Sequence, residues 1–265
     1  MFKNIIFFAG GKGQLKKGLE YTPDILKLLI PKNKEIHNSI ITTNIYEDLS
    51  NLYDLNNKIN DKKINIGGDH SMSISTVQDS LFRNPNVKLI WIDAHPDINT
   101  RISSTTKNYH GMPLSILTGI DRYSPLVFQK NILPFNNLLY IGIRDIEPFE
   151  KHIIDKYTIQ NITVNDLNKL NSLLDIEKKI NQFIGDSPVH LSFDVDSLDP
   201  QFMPCTGTMV NHGLGLFHTK YILDTILKHN VISLDLTELN LSLGNIYQKE
   251  LSLKHISMLF KDVIF

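Results

Sequence analysis

The chain has 265 residues, 42% hydrophobic and 21% charged, the balance of a globular protein long enough for one large α/β domain and contrary to extended disorder. Lys+Arg 27 against Asp+Glu 28 leaves a net charge of −1, so neither a nucleic-acid footprint nor a basic membrane patch is expected. A single cysteine, Cys205, excludes an internal disulfide framework and a thiolate-built zinc site and fits a reducing, cytoplasmic setting.

In chain order, Ile5–Phe8 is a short apolar run, read as a first core strand rather than a signal peptide. It ends in Ala9-Gly10-Gly11-Lys12-Gly13, which lacks the spacing and Lys-Ser/Thr ending of a phosphate loop and reads as a plain strand-end loop. Tyr21-Thr22-Pro23-Asp24 opens a helix with Thr22 as N-cap and Pro23 in the first turn, with Ile25, Leu28 and Leu29 on one face. Residues 44–58 form a second helix. Ile64–Ile66 is a brief strand before Gly67-Gly68-Asp69-His70-Ser71, where paired glycines permit a tight turn, and residues 71–80 are helical.

Val87–Ile92 is a buried strand that runs into Asp93-Ala94-His95-Pro96-Asp97. The Ser/Thr/Asn-rich stretch 100–111 is a surface loop, and Leu138–Ile143 is a further strand, followed by Arg144-Asp145-Ile146-Glu147-Pro148. Arg144 and Asp145 are expected to make structural ion pairs. Residues 176–183 are an amphipathic helix, and Val189–Phe193 is a strand leading into Asp194-Val195-Asp196-Ser197-Leu198-Asp199-Pro200. Residues 230–236 form one more strand before Thr237-Glu238, and 248–260 a closing helix. No apolar run reaches the ~20 residues of a membrane span. Strands alternating with helices, without linker or repeat, predict one domain over residues 1–265 built on a parallel sheet flanked by helices.

Ligands in such sheets bind beyond the carboxyl ends of the strands. Three strand ends present His70, then Asp93, His95 and Asp97, then Asp194 and Asp196, which parallel strands would bring to one edge. Four carboxylates repel unless something positive lies among them. The oxygen-rich, thiolate-free donor set suits Mn²⁺ or another hard to borderline divalent ion, and six donors suffice for two ions sharing bridging carboxylates. Taken singly, the Gly-Gly-Asp-His turn and the Asp-x-Asp pair are ordinary turn or cap sequences. Their combination, in order, on three strands is not.

These three motifs resemble the metal-binding signatures of the ureohydrolase family, and within it the chain is most similar to arginases, from the first glycine loop to Leu243-Gly244. The resemblance implies a three-layer α/β/α fold and two Mn²⁺ per chain. One ion would be held by His70, Asp93, Asp97 and Asp194, the other by His95, Asp93, Asp194 and Asp196. It implies hydrolysis of a guanidino compound, L-arginine to L-ornithine and urea, by hydroxide generated between the ions, with Asp97 as a ligand in the catalytic group. Glu238 would receive the guanidinium, which always needs a carboxylate partner, and His110 would shuttle the proton. Asn99, Thr106 and Asn108 fall where arginases contact the substrate carboxylate, Glu147 where the α-amino group is received, and Thr208 near the guanidinium.

Three departures stand out. Thr106 replaces a usual serine, Glu147 a usual aspartate, and the extended C-terminal tail of many arginases has no counterpart before Phe265. A trimer or hexamer is expected by resemblance. The competing expectations are a ureohydrolase acting on agmatine or another guanidino compound, a zinc deacetylase on a related fold, and a metal-binding homologue that has lost turnover.

Overall fold

The computed structural model describes residues 2–167, 169 and 172–265. Eight strands form one wholly parallel sheet: β1 (Asn4–Phe8), β2 (Glu35–Asn38), β3 (Lys63–Gly67), β4 (Lys88–Ile92), β5 (Leu138–Ile141), β6 (Gln160–Ile162), β7 (Val189–Asp194) and β8 (Val231–Thr237). Their order is β2-β1-β3-β8-β7-β4-β5-β6. The expected strands are all present, and two that the sequence reading missed, β2 and β6, form the edges. Edge strands bury little, so Glu-Ile-His-Asn and Gln-Asn-Ile carry no continuous apolar run.

Helices cover both faces, because alternate residues of each strand point to opposite sides. Ile5, Phe7, Ile90, Ile92, Leu191, Phe193, Leu234 and Leu236 share one core with α7 (Ser172–Ile184), α8 (Leu216–Leu227) and α9 (Ile246–Leu259). The opposite face carries two apolar clusters. One joins Ile6 and Phe8 to α2 (Ile45–Lys58), the other Leu89, Trp91 and Tyr140 to α3 (Ser73–Arg83), α4 (Pro113–Leu117) and α5 (Pro148–Tyr157). Two short helices, α1 (Thr22–Lys27) and α6 (Val164–Leu167), complete the α-helices among the described residues. No helix among the described residues is long and apolar enough to cross a membrane.

The start of α1 differs from expectation. Tyr21 is the N-cap and makes no side-chain cap, whereas Thr22 is buried and its hydroxyl accepts from the Leu241 amide at 3.3 Å. The helix ends at Lys27, and Ile25, Leu28 and Leu29 face outward, Leu28 being 84% exposed, while Leu26 enters the core. A six-residue helix is too short for periodicity to identify its inner face. The paired glycines also serve differently. Neither Gly67 nor Gly68 has positive φ; a Cβ on Gly68 would lie 1.4 Å from the Gly10 carbonyl oxygen, so glycine is needed for close approach of the first loop.

Candidate metal centre and substrate pocket

The four central strands β3, β8, β7 and β4 are adjacent and parallel, so their carboxyl ends form one rim. His70 follows β3, Glu238 follows β8, Asp194 ends β7, and Asp93 follows β4. Here all six predicted metal-binding residues come together. His70 Nδ1 lies 2.9 Å from Asp93 Oδ2, 3.2 Å from Asp97 Oδ2 and 3.1 Å from Asp194 Oδ2. His95 Nδ1 lies 3.1 Å from Asp196 Oδ2 and 3.5 Å from Asp93 Oδ1. Two donor groups result, His70/Asp93/Asp97 and Asp93/His95/Asp196, and Asp93 belongs to both.

Among the described residues, the buried His70 Nδ1 and Asp93 Oδ2 have no hydrogen-bond partner despite this crowding. Lone pairs that converge without a proton aligned between them are arranged for a shared cation, so the residues fit a metal. Electrostatics agree. Burial, reinforced by the charge of Asp93, pushes Asp97 up to about 6. Burial and the Asp196 and Asp93 charges push Asp194 well up, and burial with Asp93 raises Asp196. Only Asp93 is held below the usual carboxylate range, its burial outweighed by His70 and His95. Asp97 adopts φ 49° and Glu238 φ 64°, left-handed conformations uncommon outside glycine and Asn that gather at functional sites.

His70 is locked from behind. Its ring stacks on Trp91 with centroids 3.9 Å apart, and Nε2 lies 2.8 Å from Ser192 Oγ. Its backbone amide donates to Glu238 Oε1 at 2.9 Å, while the Glu238 amide donates to the Gly68 carbonyl at 2.9 Å. His110 Nδ1 is 3.3 Å from the same Glu238 oxygen. Burial lowers His110, but Glu238 outweighs it and pushes it up to about 9. Burial would raise Glu238; His110, the His70 amide and Gln14 hold it below its ordinary value.

A cavity of about 410 Å³ opens over this centre, the size class of a small-molecule site. The predicted residues Asn99, Thr106, Asn108, Glu147 and Thr208 line it beside His110 and Glu238. Asn99 is buried, its Oδ1 accepting from Ser103 Oγ at 2.9 Å; Thr106 and Thr208 are exposed at the mouth.

Several lining residues escaped the sequence reading, Gln14 and Glu150 among them. Gln14, beyond the glycine loop, donates its side-chain amide to both Glu238 oxygens. Glu150 is buried and accepts from the Ile98 and Glu147 amides at 3.2 and 3.0 Å; burial pushes it up to about 8. For Glu150 the three-residue spacing from Glu147 at a helix start was the available signal; Gln14 had none.

Asp145 comes within ion-pair distance of His95, but among the described residues the expected ion pair of Arg144 does not form. Arg144 instead donates to backbone carbonyls, including Asp196 at 2.9 Å and Val210 at 2.7 Å, and so braces the loop after β7. Asp145 is exposed, 3.8 Å from His95 Nε2.

The sequence profile of the arginase family matches residues 21–251. The chain belongs to the arginase family. Curated relatives include pig arginase-1, 38% identical over 187 residues that cover 68% of this chain and 58% of that protein. Neurospora crassa arginase is 32% identical over 225 residues, 81% of this chain and 63% of that one. The chain thus spans less than two thirds of these relatives. Among solved structures, Entamoeba histolytica arginase in complex with L-ornithine superposes with a TM-score of 0.85 at 29% identity, covering 98% of both chains. Bacillus subtilis arginase shares the fold at 23% identity, with a TM-score of 0.87 and full coverage of both.

Proposed function

We propose that this arginase-family chain hydrolyses L-arginine to L-ornithine and urea at a centre of two Mn²⁺ ions. The carrying observation is the pair of donor groups joined at Asp93, set beneath Glu238 and His110 in one cavity. His70, Asp93, Asp97 and Asp194 would hold one ion, and His95, Asp93, Asp194 and Asp196 the other. Four carboxylates balance the charge of two divalent cations, and the absence of thiolate favours Mn²⁺ over zinc. Bound ions supply hydroxide from water at neutral pH by lowering its pKa.

The chain's own groups account for the remaining tasks. Glu238, ionised and fixed by Gln14 and the His70 amide, receives the guanidinium and orients its carbon toward the centre. His110, protonated at neutral pH beside Glu238, delivers a proton to the leaving amine. Asn99, Thr106 and Asn108 recognise an α-carboxylate with amide and hydroxyl groups, Glu147 receives the α-amino group, and Thr208, by the resemblance, stands near the guanidinium. The ornithine bound by the Entamoeba relative supports an amino-acid product. We place the activity in the cytoplasm, consistent with the one buried cysteine, and in a homo-oligomer, a trimer or hexamer.

The test is urea release by purified, Mn²⁺-loaded protein given L-arginine and agmatine in parallel. Release from arginine alone is expected. Release from agmatine alone would overturn the assignment of the carboxylate-binding loop, and release from neither, with two ions bound, would overturn arginine hydrolysis.

A further inference from the structure

A row of buried polar side chains lies under the metal centre and divides the two apolar clusters on the α3 face. Asn65 on β3, Asp235 on β8 and Ser192 on β7 are in register across three adjacent strands. Ser233 and His190 stand two residues before Asp235 and Ser192, hence on the same face. Ser73, Thr76 and Ser80, at helical spacing along α3, close over the row, and all eight side chains are essentially inaccessible. Buried polar groups are tolerated when hydrogen-bonded, and each of these side chains bonds to another of the set, Asn65 Oδ1 being the one atom among them without a partner in the described residues.

Asp235 Oδ2 accepts from Ser73 Oγ at 2.8 Å and from Thr76 Oγ1, and lies 3.0 Å from His190 Nε2. Its Oδ1 accepts from Asn65 Nδ2 at 2.9 Å. Ser80 Oγ lies 2.8 Å from His190 Nδ1. Burial would raise Asp235, but His190 and the hydroxyls of Thr76 and Ser73 outweigh it and hold the carboxylate below its ordinary range.

Proton counting then fixes a direction. An ionised carboxylate only accepts, so the single hydroxyl proton of Ser73 goes to Asp235. Ser73 Oγ is 3.2 Å from Ser192 Oγ and has no second proton, so Ser192 is the donor of that pair. Ser192 has then spent its proton, and its contact with His70 Nε2 at 2.8 Å requires the proton to sit on His70. The hydrogen bonds run one way, from His70 through Ser192 and Ser73 to Asp235.

We infer that Asp235, three hydrogen bonds from the metal centre, is a positioning residue that sets the tautomer of His70, keeping a proton on Nε2 and a bare Nδ1 toward the carboxylates. This rests on reading His70 as a metal ligand. Breaking the chain frees Ser192 to donate to Nε2, which places the imidazole proton on Nδ1, where it opposes a cation. Partners behind a metal-binding histidine are worth roughly 10–100-fold in metal affinity, and the effect belongs to the ion that His70 holds.

The experiment is a Mn²⁺ titration of metal-free protein, followed by the EPR signal of the free ion, for wild type, Asp235→Asn and Ser73→Ala. Asp235→Asn preserves volume but offers one acceptor oxygen where four donors converge. Ser73→Ala cuts the chain while leaving the Asp235–His190 pair intact, and serves as the deciding variant if Asp235→Asn does not fold. The expected result is one dissociation constant raised about tenfold or more and the other moved by less than about threefold. A purely structural role would weaken both ions together; that outcome, or two unchanged constants in Ser73→Ala, overturns the inference. Wild type that binds no Mn²⁺ would overturn the metal reading itself.

Discussion

Gln14 and Glu238, 224 positions apart, are joined by one side-chain amide that donates to both carboxylate oxygens, at 2.9 and 2.6 Å. The bond ties the first loop of the chain to the end of β8 and helps keep Glu238 ionised where it lines the cavity. A hydrogen bond to a charged group contributes about 1.5–3 kcal/mol. Gln14→Leu, which keeps bulk and removes the donor, is therefore expected to raise KM for arginine about tenfold or more while both Mn²⁺ ions still bind. Steady-state kinetics paired with metal analysis checks this, and an unaltered KM would remove Gln14 from the site.

Asp97 couples function to instability. Without metal its carboxyl is raised to about 6 by burial and Asp93, against an ordinary 3.8. A raised carboxylate favours the folded state most at low pH, and that advantage is lost as pH rises through about 6. Asn at this position carries no charge and tolerates the left-handed φ better than Asp. Metal-free Asp97→Asn is expected to be more stable than metal-free wild type at pH 7.5, by about 1–2 kcal/mol, with the order reversed in excess Mn²⁺. Thermal melts with and without chelator decide it; a lower melting temperature for the metal-free variant would contradict the account.

His110 makes a separable contribution. His110→Asn is expected to lower kcat by about 10²-fold or more with metal content intact, since general acid catalysis is lost and no metal-binding residue is touched. Its pairing with Glu238 also stabilises the fold. The folded pKa of about 9 exceeds the unfolded 6.5, so this contribution is complete below 6.5 and lost as pH rises through 9. Denaturant titrations of metal-free wild type and variant should converge between pH 6.5 and 9.5. Loss of Mn²⁺ in the variant would instead make His110 a ligand.

Glu147 lines the cavity where the resemblance calls for the shorter aspartate. One methylene displaces the carboxylate by about 1 Å, enough to weaken amino-acid binding and misalign the far end of the substrate. Glu147→Asp is expected to lower KM for arginine a few-fold with a smaller change for agmatine, which has no α-amino group beside a carboxylate. An unchanged or higher KM in the variant would show that the longer side chain is accommodated.

The clustering of the six candidate metal-binding residues could be read in the sequence because each motif is local punctuation: a buried strand stops and a run of carboxylates and imidazoles follows. Parallel strands then force the clusters onto one rim, so topology converts three local motifs into one site. What could not be read depends on partners distant in sequence. Gln14 is one polar residue after a glycine loop, and only the fold brings it to Glu238. His190, Ser192 and Asp235 alternate with apolar residues, the pattern of a half-exposed strand, yet they are sealed beneath α3. The role of Arg144 is illegible in the sequence because its acceptors are carbonyls, which every residue possesses. Ile25, Leu28 and Leu29 mark the opposite limit, an apolar spacing on a helix whose inner contact is Leu26.

The rim also dictates an order of events. Its side chains come from residue 70 to residue 238 and meet only where β3, β8, β7 and β4 lie side by side, and β8, inserted between β3 and β7, comes last in chain order among the described strands. No short stretch of nascent chain assembles both donor groups, so an ion cannot template this architecture from the unfolded state as it does in a zinc finger. An ion shared by His70 and Asp93 is therefore expected to be captured late, once β8 has set β3 at its distance from β7.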